Sequence, residues 1–143
     1  MSNSDAEVDG KELSLDEYQR RTADTAIYPG KSSPLGLIYC ALKMNGEAGE
    51  FAEHVGKAIR DDGFAGPHEV RFTGQQESRI VPAAPLTPER HALLKKEIGD
   101  VLWYLASAAR ELGCNLGTIA QENLDKLADR KARGVLGGSG DNR

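Results

Sequence analysis

The 143-residue sequence has little of what disulfide-bonded or membrane-spanning proteins need. It contains two cysteines, Cys40 and Cys114, which do not have the spacing of a metal-binding or redox pair. Apolar or small residues surround each of them, so we expect two buried thiols rather than a disulfide. No apolar run approaches the roughly 18 residues that a membrane-spanning helix requires. The polar, acidic start of the chain shows no apolar signal region, which predicts a cytoplasmic protein.

The sequence also lacks an excess of positive charge, with 18 lysine and arginine residues against 22 aspartate and glutamate residues. The formal net charge is −4, whereas proteins that coat nucleic acids present a basic surface. We therefore expect no nucleic-acid partner and no membrane partner. A small anionic ligand is still possible, because a bound metal ion can reverse the sign of the local electrostatic field. Apolar residues make up 39% of the chain and charged residues 28%, a balance typical of helices that show one face to water.

Start and stop signals divide the sequence into four predicted helices. Each predicted start has a capping side chain or a proline suited to the first turn of a helix. The predicted helices are 15–27 after Ser14, 35–60 after Pro34, 88–112 after Thr87 and 116–132 after Asn115. Residues 63–86 are rich in proline and glycine and predict a long loop, in which 70–72 and 79–81 are candidates for a short hairpin.

These elements predict an all-α fold, a four-helix bundle-like domain with one long loop between the second and third helices. We assign residues 1–13 to a disordered N-terminal segment, 14–133 to the domain and 134–143 to a glycine-rich C-terminal tail. Trp103 points almost opposite the apolar stripe of the third helix. An outward Trp103 indicates a subunit interface, or else a cap over the long loop. The apolar stripes are Ile38, Ala41, Met44, Ala48, Phe51, Val55 and Ile59, then Leu94, Ile98, Val101, Leu105, Ala108 and Leu112.

Each long helix carries an acidic pair three residues apart, Glu47 with Glu50 and Glu97 with Asp100. Residues three apart are neighbours on a helix, and both pairs lie on the flank of an apolar stripe. Most helix carboxylates are simply solvated. At the edge of a core, however, carboxylates repel one another unless a cation or a proton neutralises them. Two facing pairs therefore predict an all-oxygen site for Mg²⁺, with Mn²⁺ as a possible substitute.

The fourth helix carries Asn123, Lys126 and Arg130 on one face, at intervals of three and four. Taken alone, a solvated basic face near a helix C-terminus is the simpler interpretation. The alternative is a set of side chains that holds phosphate oxygens. Carboxylates for a metal ion together with cations for phosphate favour nucleotide phosphate chemistry.

Three segments together resemble the MazG-like branch of the all-α nucleoside triphosphate pyrophosphohydrolases. They are GEAGEFAEHVGKAIRDDG, KKEIGDVLWYLA and ENLDKLADRKARG, and the resemblance runs from about residue 15 to the C-terminus apart from the 64–86 loop. It implies a Mg²⁺-dependent hydrolase that cleaves a (d)NTP to (d)NMP and pyrophosphate, with a role in removing unwanted nucleotides. It also implies a homodimer or homotetramer that completes the helical bundle between subunits. The implied metal ligands are Glu47, Glu50, Glu97 and Asp100.

We assign the catalytic carboxylates to Glu47 and Glu50, and from the charges we expect Glu50 to accept the proton of the attacking water. The implied substrate-binding residues are Asn123, Lys126 and Arg130. Gly46 departs from the pattern, because many family members carry a further glutamate there. That ligand is either missing or replaced by Glu53 or Asp61. Three alternatives stay open: a dUTPase-like activity, a phosphoribosyl-ATP pyrophosphatase, and a non-catalytic helical oligomer that binds nucleotides.

Overall fold

The computed structural model describes residues 12–71 and 78–136. The predictions of disorder for residues 1–11 and of a glycine-rich tail for residues 137–143 lie outside these ranges. Within them the all-α prediction is confirmed, with four α-helices and one short antiparallel hairpin. The elements are α1 (Leu15–Thr22), α2 (Pro34–Asp62), β1 (His68–Arg71), β2 (Ser78–Val81), α3 (Pro88–Glu111) and α4 (Leu116–Ala132).

The first helix is shorter than predicted. It begins as expected, with the Ser14 hydroxyl accepting from the Glu17 backbone N–H at 3.2 Å. It ends at Thr22 rather than at Ile27, and a 3₁₀ turn, Ala23–Thr25, follows. The tighter turn brings Ala26 and Tyr28 into the core, where they pack with Cys40. The helix therefore ends where these side chains become buried, and local helix propensity does not predict that position.

The second helix ends at a left-handed glycine. Gly63 has φ +77°, and a Cβ at this position would overlap the carbonyl oxygen of Pro82. The Gly63 carbonyl in turn accepts from the backbone N–H of Ala84 at 3.0 Å. The far end of the predicted 63–86 loop is therefore fixed to the end of α2.

This connection contains the predicted hairpin. β1 pairs with β2 in an antiparallel register that sets His68 opposite Val81 and Arg71 opposite Ser78. Val81 is buried, and the strand that carries it lies against α2. The segment is thus not one continuous loop, since short strands occupy part of it and anchor it to the helix.

The two long helices run antiparallel and form the body of the molecule. Arg90, near the start of α3, binds Asp62 at the end of α2, and Glu111, at the end of α3, lies against Gly36 near the start of α2. The fourth helix docks by its N-terminal end. Its Leu116 N–H donates to Gln19 Oε1 of α1, at 2.8 Å.

The core consists mainly of small side chains. Cys40, Ala58, Ala106 and Ser107 are fully buried, which confirms the prediction for Cys40. Cys114 is exposed, so the prediction of a second buried thiol is wrong. It lies just after the end of α3, in the turn that precedes α4.

Trp103 is half-buried and partly covered by the same chain. Its indole N–H donates to Thr25 Oγ1 at 2.8 Å, and its ring packs with Tyr28 and Tyr104. The turn after α1 thus covers part of this face of α3, and a subunit interface or a loop cap at Trp103 stays a prediction.

Every member of the predicted apolar stripes is half-buried or exposed in the single chain. Ile38 is 55% exposed, Ile98 57% and Leu105 41%. Between α2 and α3 these stripes border an apolar groove of about 320 Å³. No helix within the described ranges is long and apolar enough to cross a membrane.

Candidate metal centre

Three of the predicted carboxylates meet between the two long helices. Glu47 of α2 and Glu97 and Asp100 of α3 each offer an oxygen, and these oxygens lie within 4.8 Å of one another. The three-residue spacing places the α3 pair on one face, and the antiparallel packing brings Glu47 opposite. We call these three residues the carboxylate cluster.

Glu97 is the most buried member of the carboxylate cluster, with 2% of its surface exposed. Its Oε1 lies 3.3 Å from Lys96 Nζ and 3.9 Å from His54 Nε2. Its Oε2 is buried and has no hydrogen-bond partner among the residues that the structure describes. A buried carboxylate oxygen without a partner is costly, and a cation would remove that cost. Three clustered carboxylates form a donor set that suits a hard divalent ion.

Two lysines lie beside the carboxylate cluster. Lys96 Nζ is 3.1 Å from Asp100 Oδ2, and Lys43 Nζ is 3.4 Å from Glu47 Oε1. Hydrogen bonds to Asp100 and Glu97 raise the pKa of Lys96, and the hydrogen bond to Glu47 raises the pKa of Lys43. Both lysines therefore stay protonated and partly balance the carboxylate charge.

A chain of polar side chains leads from the end of α2 to Glu97. Asp62 Oδ2 accepts from Arg90 Nε at 3.0 Å, Arg90 Nη1 lies 3.5 Å from His54 Nδ1, and His54 faces Glu97. Sequence reasoning did not identify Arg90, because 28 residues separate it from Asp62. Lys43 and Lys96 were also missed, although each lies four residues before a cluster carboxylate, a helical spacing that favours ion pairs.

Comparison with known proteins identifies the family of this chain. The family model of the MazG nucleotide pyrophosphohydrolase domain matches residues 39–135, which contain all members of the carboxylate cluster. The chain belongs to the MazG nucleotide pyrophosphohydrolase family. It is also 42% identical to the "Gene 37 protein" of Mycobacterium phage L5 over 135 residues, covering 92% of this chain and 100% of that protein. No solved structure matches significantly.

The structure does not bring every predicted MazG ligand into the carboxylate cluster. Glu50 is exposed on α2 and is not one of the three grouped residues. The two candidates to replace a glutamate at Gly46 are paired with their own neighbours. Glu53 binds Lys57 at 2.6 Å, and Asp61 binds Arg60 at 2.7 Å. Neither belongs to the group.

The predicted phosphate-binding residues lie on α4. Asn123 and Lys126 are exposed, and Arg130 is partly buried. The hydrogen bonds from α4 to Asp16 and Gln19 of α1 are made by its first two residues, whereas the carboxylate cluster lies between α2 and α3.

Proposed function

We propose that this chain is a Mg²⁺-dependent nucleoside triphosphate pyrophosphohydrolase that converts a (d)NTP and water into (d)NMP and pyrophosphate. One observation carries the proposal. In a MazG-family chain, Glu97 brings to a group of three carboxylates a buried oxygen that has no hydrogen-bond partner within residues 12–71 and 78–136. A purely structural role gives no reason for that oxygen to lack a partner.

Glu47, Glu97 and Asp100 would hold the metal, with Mn²⁺ as a substitute for Mg²⁺. A bound divalent ion neutralises phosphate charge and makes a bound water more acidic. Glu50 is the fourth predicted ligand, but it lies outside the carboxylate cluster in the single chain. As an exposed carboxylate on α2, it is the candidate to accept the proton as water attacks the α-phosphorus and the bond to the β-phosphate oxygen breaks.

Cations on the chain would steady the polyphosphate. Lys43 and Lys96 already lie at the carboxylate cluster, and Asn123, Lys126 and Arg130 of α4 are the residues that the family pattern assigns to substrate. Ammonium and guanidinium groups stabilise the charge that the departing pyrophosphate gains.

We further propose that the enzyme is a homodimer or homotetramer. The exposed stripes of α2 and α3 and the apolar groove between them are the support for this assembly. Large exposed apolar faces mark interaction sites, of which an interface between subunits is one kind.

The experiment that tests this function is an assay of pyrophosphate release from a panel of ribo- and deoxynucleoside triphosphates, with phosphoribosyl-ATP included. Each substrate is tested with Mg²⁺, with Mn²⁺ and with EDTA. We expect metal-dependent release of monophosphate and pyrophosphate from a subset of the panel. The pattern of substrates separates a general activity from a dUTPase-like or phosphoribosyl-ATP-specific one.

A matched pair of variants links the reaction to the carboxylate cluster. Glu97→Gln removes the charge at the buried oxygen and should lower kcat/KM by about a hundredfold or more. Glu53→Gln, on the exposed side of α2, should leave the activity unchanged. Wild-type turnover in Glu97→Gln would contradict the assignment of the site. A folded protein that releases pyrophosphate from no member of the panel would contradict the reaction and favour a non-catalytic nucleotide binder.

A further inference from the structure

A pocket of about 400 Å³ opens directly beside the carboxylate cluster. It is lined by Glu47 and Asp100 of the cluster and by Thr25, Trp103 and Tyr104. Residues three and four after Asp100 share its face of α3, so the two rings and the carboxylate lie side by side. Two larger hollows, at α1 and at the start of α2, contain none of the cluster carboxylates.

The wall of this pocket is held in one orientation. The indole N–H of Trp103 donates to Thr25 Oγ1 at 2.8 Å. The Trp103 ring lies nearly perpendicular to the rings of Tyr28 and Tyr104, with ring centroids 6.1 and 4.9 Å apart. Tyr28 is itself fixed, because its hydroxyl donates to Glu111 Oε1 at 2.5 Å. A ring fixed in this way binds a ligand with little further loss of side-chain freedom.

We propose that this pocket binds the nucleoside end of a nucleoside triphosphate, with the base against Trp103 and the sugar beside Tyr104. The inference rests on the proposed function, which places the phosphates at the carboxylate cluster. The sugar is bonded directly to the α-phosphate, so the nucleoside must lie within one sugar's length of the reacting phosphorus. This pocket meets that condition because Glu47 and Asp100 belong both to its wall and to the cluster.

The lining suits an aromatic base and a hydroxyl-bearing sugar. Stacking of one base on an aromatic side chain corresponds to about 5- to 150-fold in affinity and tolerates different bases. The Tyr104 hydroxyl, like any tyrosine hydroxyl, is protonated at neutral pH and can donate to a sugar oxygen. The pocket therefore discriminates nucleotides from bare polyphosphates more strongly than it discriminates one base from another.

Trp103 gives a direct signal for this test because it is the only tryptophan in the sequence. The full-length protein with Mg²⁺ is titrated with non-hydrolysable α,β-methylene analogues of a purine and a pyrimidine triphosphate. Inorganic tripolyphosphate is titrated in parallel, and calorimetry measures binding in each case. We expect both nucleotide analogues to quench the Trp103 emission, and tripolyphosphate to bind more weakly and without quenching.

Paired variants test whether the ring itself contributes. Trp103→Leu keeps apolar bulk without an aromatic face, and we expect the Kd for the nucleotide analogues to rise about tenfold or more. Trp103→Phe keeps a ring and should retain most of the affinity. The control is Tyr39→Leu, which removes a ring that packs on Tyr28 in the same core cluster but does not line the pocket. Its nucleotide affinity should match the wild type.

A second variant covers the case in which Trp103→Leu does not fold. Thr25→Val removes the acceptor of the indole N–H with little change in volume, and we expect a smaller rise in Kd than in Trp103→Leu. Thr25→Ser keeps the hydroxyl and should bind nucleotide as tightly as the wild type. The pocket assignment would be overturned if nucleotide bound in a metal-dependent way but left the Trp103 emission unchanged, with the same Kd in Trp103→Leu or Thr25→Val. The proposed function would still stand in that case. Absence of both nucleotide binding and turnover would overturn both.

Discussion

The ammonium of Lys96 lies where it competes with a metal ion for the same oxygens. Its Nζ is 3.1 Å from Asp100 Oδ2 and 3.3 Å from Glu97 Oε1. A divalent ion bound to these carboxylates has to displace it. We expect Lys96→Met to raise the affinity for Mn²⁺ about two- to fivefold, a small gain because the lysine is well exposed to solvent. Titration of the nucleotide-free protein with Mn²⁺, followed by electron paramagnetic resonance, measures this change.

Lys57→Met is the control for this experiment. Lys57 also forms an ion pair on a helix, with Glu53 at 2.6 Å, but neither residue belongs to the carboxylate cluster. Its Mn²⁺ affinity should equal that of the wild type. A lower affinity in Lys96→Met would show that Lys96 supports the metal site rather than competing for it.

The carboxylate cluster could be predicted from the sequence in part. The spacing of Glu97 and Asp100 was sufficient to place them together, but the choice between the two glutamates of α2 depended on how that helix faces α3. At about 100° per residue, His54 lies about 20° from Glu47 around the helix, whereas Glu50 lies about 60° away. The face toward α3 accordingly carries Glu47 and His54. The rotation of a helix about its axis is set by packing, which spacing alone does not give.

At the scale of elements, the junction of α2 with the hairpin depends on one residue. Gly63 combines a positive φ with direct contact to the Pro82 carbonyl, whereas Gly113 has a similar φ of +69° and open space around its Cβ position. Gly113→Ala should lower the free energy of unfolding by about 1–2 kcal/mol, the cost of a left-handed alanine. Gly63→Ala should lower the free energy of unfolding further, because the Pro82 carbonyl that follows β2 also has to move. Urea unfolding followed by circular dichroism measures both, and equal losses would contradict a close contact at Gly63.

The sequence was most informative where a helix end depends on its own side chains. The Thr87 hydroxyl accepts from the Arg90 N–H at 3.1 Å, and α3 starts at Pro88 as predicted. α4 matches its predicted bounds, 116–132. The end of α1 was wrong because Tyr28 and Ala26 are drawn into a core made by distant residues. Capping residues in the sequence therefore predict the helix ends that have a side-chain cap. The remaining helix ends depend on tertiary contacts.

At the scale of the whole molecule, the large and the small apolar side chains have separate roles. The chain buries Ala106, Ala109 and Ser107 within itself and leaves Ile98 and Leu105 of the same helix exposed. Sequence patterns identify the most hydrophobic face of a helix but do not tell whether the same chain or another copy covers it. Trp103 is an example, since we took the apolar stripe as the inner face, whereas the Trp103 ring packs with Tyr28 and Tyr104 of the same chain.

This arrangement predicts that a charge on the apolar face weakens assembly. Leu105→Glu places a carboxylate in the apolar groove and should shift the protein toward a species of 15.4 kDa, the mass of one chain. Sedimentation velocity at several concentrations measures the shift. The matched control is Ile80→Glu, since Ile80 is 67% exposed on β2, away from this face. Equal masses for the two variants would contradict an interface at the groove.

The contrast between the two thiols has a practical consequence. Cys40 is fully buried and Cys114 is exposed at the α3–α4 junction, and the sequence has no further cysteine. A maleimide dye or a nitroxide should therefore attach to the native protein at one defined position per chain. In an assembly of identical subunits, these labels are related by the symmetry of the assembly. Two labels give a single spacing, whereas four can give several, so the distances between probes would count the copies without any change to the sequence.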